Sequence, residues 1–389
     1  MRKIAVILSA AAALFLLLFL SAGKRENALH PAEFWNVVRD GIVQCLLCPR
    51  KCILPEGARG VCESRINKGG SLYTLTYGRP VAVHVDPIEK KPFFHVVPGA
   101  PAFSIATAGC NMRCLFCQNW QISQADPGKI DVEYVSPEQI VDGAIKNKCD
   151  FIVYTYTEPT VFYEYMIETS RLAKKKGLKN AMHSCGYINQ EPLKELLKYM
   201  DAVNIDLKGF TRDFYQKMGL LAELEPVLDA LKTVHEAGVW LEITNLLIPG
   251  ENDAPEDIKK MCLWIKKNLG ADTPLHFSRF YPAYKLENLP PTPLKTLEEA
   301  RRIARAAGLR YVYIGNIPGN EAENTRCPFC RELLVRRIGY KILKNNIVGG
   351  KCRFCGRKIA GIWDIKEPPL NLPLKKGEKG RGEDVGTPE

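Results

Sequence analysis

The chain has no Gly-x-Gly-x-x-Gly at the first turn of its alternating pattern and no internal repeat of useful period. The first absence removes the usual support for a dinucleotide-binding, doubly wound sheet. The second speaks against a repeat array. A third absence is more informative. Cys110, Cys114 and Cys117, spaced C-x3-C-x2-C, have no fourth cysteine close by. A structural zinc site closes with four ligands. A cubane iron–sulfur cluster can instead be held at three irons, which leaves the fourth iron open to a substrate. The odd count therefore favours a catalytic cluster over a structural staple.

Charge is uneven but not extreme: 54 Lys and Arg stand against 43 Asp and Glu, a net +11 in 389 residues. The basic clusters Lys174-Lys175-Lys176 and Arg336-Arg337 read as solvated faces. The alternative is a surface for an acidic partner such as a small electron carrier, or for nucleic acid. Of fourteen cysteines, eleven fall into three compact clusters, while Cys149, Cys185 and Cys262 stand alone. Disulfide frameworks belong to small secreted domains, so closely spaced pairs in a long α/β chain point to metal or redox sites in a reducing compartment.

The N-terminus points elsewhere. Met1-Arg2-Lys3 precedes an apolar run from Ile4 to Ala22, followed by Gly23-Lys24-Arg25. The run is near the roughly 20 residues that cross a bilayer. The expectation is a membrane anchor over residues 1–23 with the catalytic body in the cytoplasm. Export after cleavage near Ser21-Ala22-Gly23 is the alternative.

Residues 24–99 are expected to hold a short linker and helix (24–44), a cysteine cluster and a β-rich connector with strand-like runs at 72–78 and 81–85. From about residue 100 to 316, strand-like runs at 102–106, 151–156, 179–183, 202–207, 239–245, 275–279 and 310–314 alternate with helical stretches. Ser136-Pro137-Glu138 opens one helix, and Gly238 closes another. Alternating βα units imply a parallel sheet. The fold class is α/β, a partial or complete (β/α) barrel with two small Cys-rich metal modules. Residues 317–365 form the second of these, and 366–389 are too poor in apolar residues to pack.

In the second module, Cys327-Pro328-Phe329-Cys330 and Cys352-Arg353-Phe354-Cys355 are two knuckles separated by a hairpin-length stretch, a zinc-ribbon spacing. Cys45, Cys48, Cys52 and Cys62 also offer four thiolates, for zinc or an auxiliary iron–sulfur cluster. Zinc is favoured there because a closed set of four leaves no open position. Pro159 forces the chain out of regular structure after Glu158, presenting that carboxylate at a strand's C-terminal end. Asp206 and Lys208, two apart, share one strand face.

The loop from Ala108 to Trp120 resembles the radical S-adenosylmethionine (radical SAM) superfamily. The strings His84–Pro92, Tyr154–Thr160, Asn204–Lys208, Leu247–Asp253 and Tyr311–Asn316 resemble its pyruvate formate-lyase activating enzyme branch, and within it the radical SAM enzyme of the AmmeMemoRadiSam system. The resemblance implies that Cys110, Cys114 and Cys117 ligate a 4Fe–4S cluster that cleaves S-adenosylmethionine to a 5′-deoxyadenosyl radical. It implies that Phe116 lies against the adenine, that Glu158 accepts the cofactor's amino group, and that Asp206 and Lys208 hold its methionyl and ribose ends. His276 is a further candidate contact. A low-potential donor of flavodoxin or ferredoxin type is implied, with a protein substrate as in glycyl-radical activation and no nucleic acid. Where the branch has Thr-Asn-Gly, this chain has Ser184-Cys185-Gly186, which puts a thiol in place of an amide. The competing function is a metal-dependent protein- or nucleic-acid-binding module, which would not need the three-cysteine loop.

Overall fold

The computed structural model describes residues 29–365. Its centre is one sheet of eight strands: β1 (Pro80–Pro87), β2 (Pro101–Thr107), β3 (Phe151–Tyr154), β4 (Lys179–Ser184), β5 (Ala202–Asp206), β6 (Trp240–Leu247), β7 (Leu275–Arg279) and β8 (Val312–Gly315). They lie side by side in chain order, β2 to β8 parallel and β1 antiparallel at the edge. Sequential order has no switch point, so the crossovers wind one way, as in a barrel, and the doubly wound alternative falls. β1 and β8 pair with no common neighbour, so the sheet stays open. The fold is an open, partial (β/α) barrel.

The elements follow from local chemistry. The helix Pro137–Lys146 starts in a capping box, Ser136 accepting from the Gln139 N–H and Gln139 reaching back to the Ser136 N–H. The helix Leu224–Glu236 ends at Gly238, whose φ of +70° suits glycine. One face of the sheet (Phe103, Ile105, Ile152, Met182, Val203, Ile243, Phe277) packs against these helices. The opposite face (Ala102, Val153, Ala181, Ala202, Trp240, Tyr313) is filled by Phe93 and Phe94 and by Leu334, Val335 and Ile362 of the C-terminal module. That module is thus a plug in the sheet's second face. Backbone hydrogen bonds from Val97 to Ile362 (2.7 Å) and from Ile362 to His95 (2.8 Å) seal it.

Three expectations need correction. Residues 24–44 contain no helix among the described residues. Trp35–Arg39 and Ile42–Cys45 form an antiparallel hairpin, turned at Asp40-Gly41 with Gly41 at φ +69°, and Asp-Gly is a hairpin signal. Arg336 and Arg337 are not both solvated. They alternate on the strand Leu333–Ile338, Arg336 outward and Arg337 buried in the plug, whereas Lys174, Lys175 and Lys176 are exposed. The membrane assignment is also corrected to what the structure supports: no helix among the described residues is long and apolar enough to cross a membrane. The apolar run Ile4–Ala22 and the tail from residue 366 lie outside the described residues.

The plug carries a buried charge of its own. Glu89 lies 4.0 Å from the Arg337 Nε and accepts the Gly99 N–H at 2.9 Å, yet burial outweighs Arg337 and pushes its carboxyl up to about 7. A carboxyl raised on folding costs nothing below its unfolded pKa of 4.5, and the cost grows as pH climbs to about 7. Glu89→Gln is therefore expected to gain stability relative to wild type by roughly 3 kcal/mol across that window. Anaerobic denaturant titrations at pH 5 and pH 8 check it, and a constant difference between the two proteins contradicts it.

Candidate active site

The chemistry gathers where β2 to β5 end. The cysteine loop follows β2, Glu158 follows β3, Ser184 closes β4 and Cys185 follows it, and Asp206 closes β5. The loop is pinned from several sides. The Arg50 Nε donates to the Asn111 carbonyl at 2.8 Å, and the Asn111 amide donates to the Tyr187 carbonyl at 2.8 Å. The Leu115 N–H reaches the Met218 carbonyl at 3.2 Å. The Asn119 amide donates to the Tyr156 carbonyl at 2.7 Å, and Ser123 shares a hydrogen bond with the Cys117 sulfur at 3.1 Å. Tyr156 stands at φ +65°, a strained conformation for a side-chain-bearing residue beside this loop.

Glu158 is almost fully buried and held by its neighbours. Its Oε1 accepts from the Thr160 N–H (3.1 Å), the Thr160 hydroxyl (2.6 Å) and the Ser184 hydroxyl (2.8 Å), and its Oε2 accepts from the Cys185 N–H (2.8 Å). It also caps the short turn Pro159–Phe162. A carboxylate offers about four lone-pair directions, and Oε2 uses one of its own. The Cys185 sulfur donates to the Asn111 Oδ1 at 3.7 Å, and burial with Glu158 nearby pushes this thiol well up. Gly186 follows at φ +69°, where a side chain would press Ile205.

Asp206 and Lys208 face each other, with the Lys208 Nζ 2.8 Å from Asp206 Oδ2. His183 completes the group, its Nε2 2.8 Å from Asp206 Oδ1. Burial pushes the Asp206 carboxyl up, but Lys208 and His183 outweigh it and hold it well below the usual range. Burial would lower Lys208, and Asp206 more than restores its charge. The Lys208 ammonium stands 6.0 Å from the centre of the Phe116 ring, which is itself buried. Asn252 donates to the Lys208 carbonyl (2.7 Å) and Asn245 to the Leu207 carbonyl (2.7 Å), so β6 and the Leu247–Asp253 segment that follows it position this turn.

His276 is buried and has other partners within the protein. Its Nε2 lies 2.7 Å from Glu242, and the rings of Phe94 and Tyr313 pack on it. Its ring belongs to the buried polar layer above the plug. His183, Asn245 and Asn252 are the residues that sequence reading missed. His183 had a signal, since it lies two residues before Cys185 at a strand's end.

The cysteine sets differ in spacing. Four thiolates around one tetrahedral zinc at about 2.3 Å stand about 3.8 Å apart. Cys327 and Cys355 are 3.7 Å apart, as are Cys330 and Cys352, and all four sulfurs lie within 4.8 Å of one another. This donor set fits a single ion. Among the described residues it is the one set that does so. The sulfurs of Cys110, Cys114 and Cys117 do not all come that close, which suits ligands on separate corners of a cluster. Burial pushes the Cys114 thiol up to about 11 and Cys110 well above its ordinary value. Such thiols keep their protons until a metal displaces them.

Comparison with known proteins agrees with this arrangement. Residues 104–264 match the profile of the radical SAM superfamily. An uncharacterized protein of Methanocaldococcus jannaschii is 48% identical over 333 residues, covering 85% of this chain and 99% of its own. The pyruvate formate-lyase-activating enzyme of Clostridium pasteurianum is 26% identical over 164 residues, 41% of this chain and 66% of that one. This chain belongs to the radical SAM superfamily. It is an enzyme of that type, and membership implies a 4Fe–4S cluster and S-adenosylmethionine. A solved domain of a pyruvate-formate lyase-activating enzyme from Bacteroides vulgatus aligns with 42% of this radical SAM chain and 98% of its own, at 19% identity and a TM-score of 0.38. The matched span holds all three cysteines of the loop together with Glu158, Asp206 and Lys208.

Proposed function

We propose that this enzyme cleaves S-adenosylmethionine reductively and uses the resulting 5′-deoxyadenosyl radical to take a hydrogen atom from a protein, as in glycyl-radical activation. The observation that carries the reading is the convergence of a three-thiol loop, a buried carboxylate and an Asp–Lys–His group at the ends of consecutive strands. When bound, the cluster supplies one low-potential electron to the sulfonium.

The residues then have separable tasks. Cys110, Cys114 and Cys117 hold the cluster. The remaining acceptor direction of Glu158 Oε2 receives the cofactor's amino group, in a position fixed beforehand by Thr160, Ser184 and Cys185. Lys208, kept cationic by Asp206, binds the carboxylate end, and Asp206 with His183 faces the ribose hydroxyls. Phe116 offers the adenine an apolar wall. The plug covers the sheet's second face and keeps water from it. A flavodoxin- or ferredoxin-type donor provides the electron, and the net positive charge suits an acidic carrier. The ribbon of Cys327, Cys330, Cys352 and Cys355 holds zinc.

Two measurements test this reading. Anaerobically reconstituted protein with dithionite and S-adenosylmethionine should yield 5′-deoxyadenosine, and S-adenosylmethionine should shift the EPR signal of the reduced cluster. An unmoved signal and no product refute the reading. Glu158→Gln removes a charged acceptor, so the concentration of S-adenosylmethionine that shifts the signal should rise about 10–100-fold.

A further inference from the structure

The four cysteines of the N-terminal module are built against the catalytic loop. Cys45 ends the strand Ile42–Cys45, and its N–H donates to the Cys52 carbonyl at 2.9 Å, which draws the two ends of the Cys45–Cys52 segment together. Gly60 passes close to the sulfurs: a side chain there would stand 3.5 Å from the Cys62 sulfur and 3.8 Å from that of Cys52. The Ser64 hydroxyl donates to the Cys62 sulfur at 3.0 Å, and the buried Arg65 guanidinium donates to the Cys45 sulfur at 3.7 Å. Arg65 also pairs with buried Glu164 of the helix Tyr163–Lys175, fixing the module to the barrel. Hydrogen bonds of this kind to sulfur are the outer-shell contacts that support ligated thiolates. None of the four cysteines is in a disulfide.

Their spacing separates this module from the ribbon. The ribbon's sulfurs converge as one ion requires, whereas no three of Cys45, Cys48, Cys52 and Cys62 lie within 4.8 Å of one another. The same chain therefore contains a four-thiol set drawn tight and a second four-thiol set held open. A thiolate set surrounding several irons must be open, because each sulfur binds its own corner. The open set also touches the catalytic loop. The Arg113 guanidinium donates to the Val61 carbonyl, and a side chain on Gly109 would stand 2.8 Å from the Cys62 carbonyl oxygen. The Leu46 and Leu47 carbonyls receive the Asn189 amide (2.6 Å) and N–H (3.0 Å), just beyond Cys185.

We propose that Cys45, Cys48, Cys52 and Cys62 hold a second iron–sulfur cluster, with all four corners ligated, beside the cysteine loop. This assignment replaces the zinc favoured from the closed count of four. It stands on the geometry of the module and does not need the reaction proposed above.

Metal and sulfide analysis of the full chain, purified and reconstituted without oxygen, tests it. The expected content is about eight irons, about eight sulfides and about one zinc per chain. The triple substitution Cys110→Ala, Cys114→Ala, Cys117→Ala should retain about four irons and a reducible EPR signal that S-adenosylmethionine leaves unmoved. Cys48→Ser with Cys52→Ser should lose the other half of the iron, with the ribbon's zinc retained as the sign of a folded chain. About four irons with about two zincs in the wild type, or loss of all iron in the triple variant, overturns the proposal. If the Cys48/Cys52 variant does not fold, the wild-type count and the triple variant decide alone. A wild type with the expected metals but no 5′-deoxyadenosine would sink the proposed reaction and leave this site standing.

Discussion

Replacing Cys114 by alanine is expected to bring 5′-deoxyadenosine formation below detection and to remove about four irons, while the ribbon keeps its zinc. Cys114 is the middle ligand of a three-thiol loop and is 8% exposed, so neither water nor a distant side chain is free to take its place. Another thiol beside the loop, Cys185, is turned toward the Asn111 Oδ1, and burial and Glu158 push it well up. A three-ligand cluster has no spare ligand, and losing one removes the site at which an electron reaches the sulfonium. The effect is therefore all-or-none rather than a factor of ten. Iron analysis and chromatographic detection of the nucleoside check it. Wild-type product from a Cys114→Ala preparation would eliminate the assignment of the loop.

The second large effect concerns stability. Arg337→Met should lower the free energy of unfolding by about 3–5 kcal/mol, because it removes one partner from a buried, hydrogen-bonded charge cluster. The guanidinium donates to the Thr325 hydroxyl (2.8 Å), the Glu323 carbonyl (3.2 Å) and the Phe94 carbonyl (2.7 Å), and its carbon lies 4.3 Å from the centre of the Phe94 ring. It is also the cation nearest Glu89. Methionine fills the space but leaves the Phe94 carbonyl without that donor and Glu89 without its cation. With Glu89 pushed up to about 7 even beside Arg337, the variant can protonate it at low pH. The loss should therefore be larger at pH 8 than at pH 6. Denaturant midpoints of the anaerobic protein at both values measure it, and a change under 1 kcal/mol would show that the plug does not depend on this contact.

Both sites show how far a sequence carries. The cysteine loop, Glu158 before Pro159, and the Asp206/Lys208 pair could be read because each depends on spacing within a few residues. The strands β2 to β8 could be read because apolar runs of strand length alternate with helical periods. The Trp35–Cys45 hairpin could also have been read, since Asp40-Gly41 is its turn. His276 and Arg337 could not be assigned in this way. His276 shares a sheet with Asp206, but its partner Glu242 stands one strand away, a relation that only register supplies. Arg337 sits in a basic pair that resembles any solvated pair, and what buries it is Phe94, far back in the chain.

Local spacing alone gave the residue types, the order of strands and helices, and a loop able to bind three irons. Tertiary packing decided the rest: an open sheet wound one way, a ribbon inserted as its plug, His183 and two asparagines behind the Asp–Lys pair, and one four-cysteine set drawn tight while the other stays wide. The division has a physical cause. Short-range chemistry is written in neighbouring residues, whereas burial and sulfur–sulfur distance depend on which distant segments come to lie on one another.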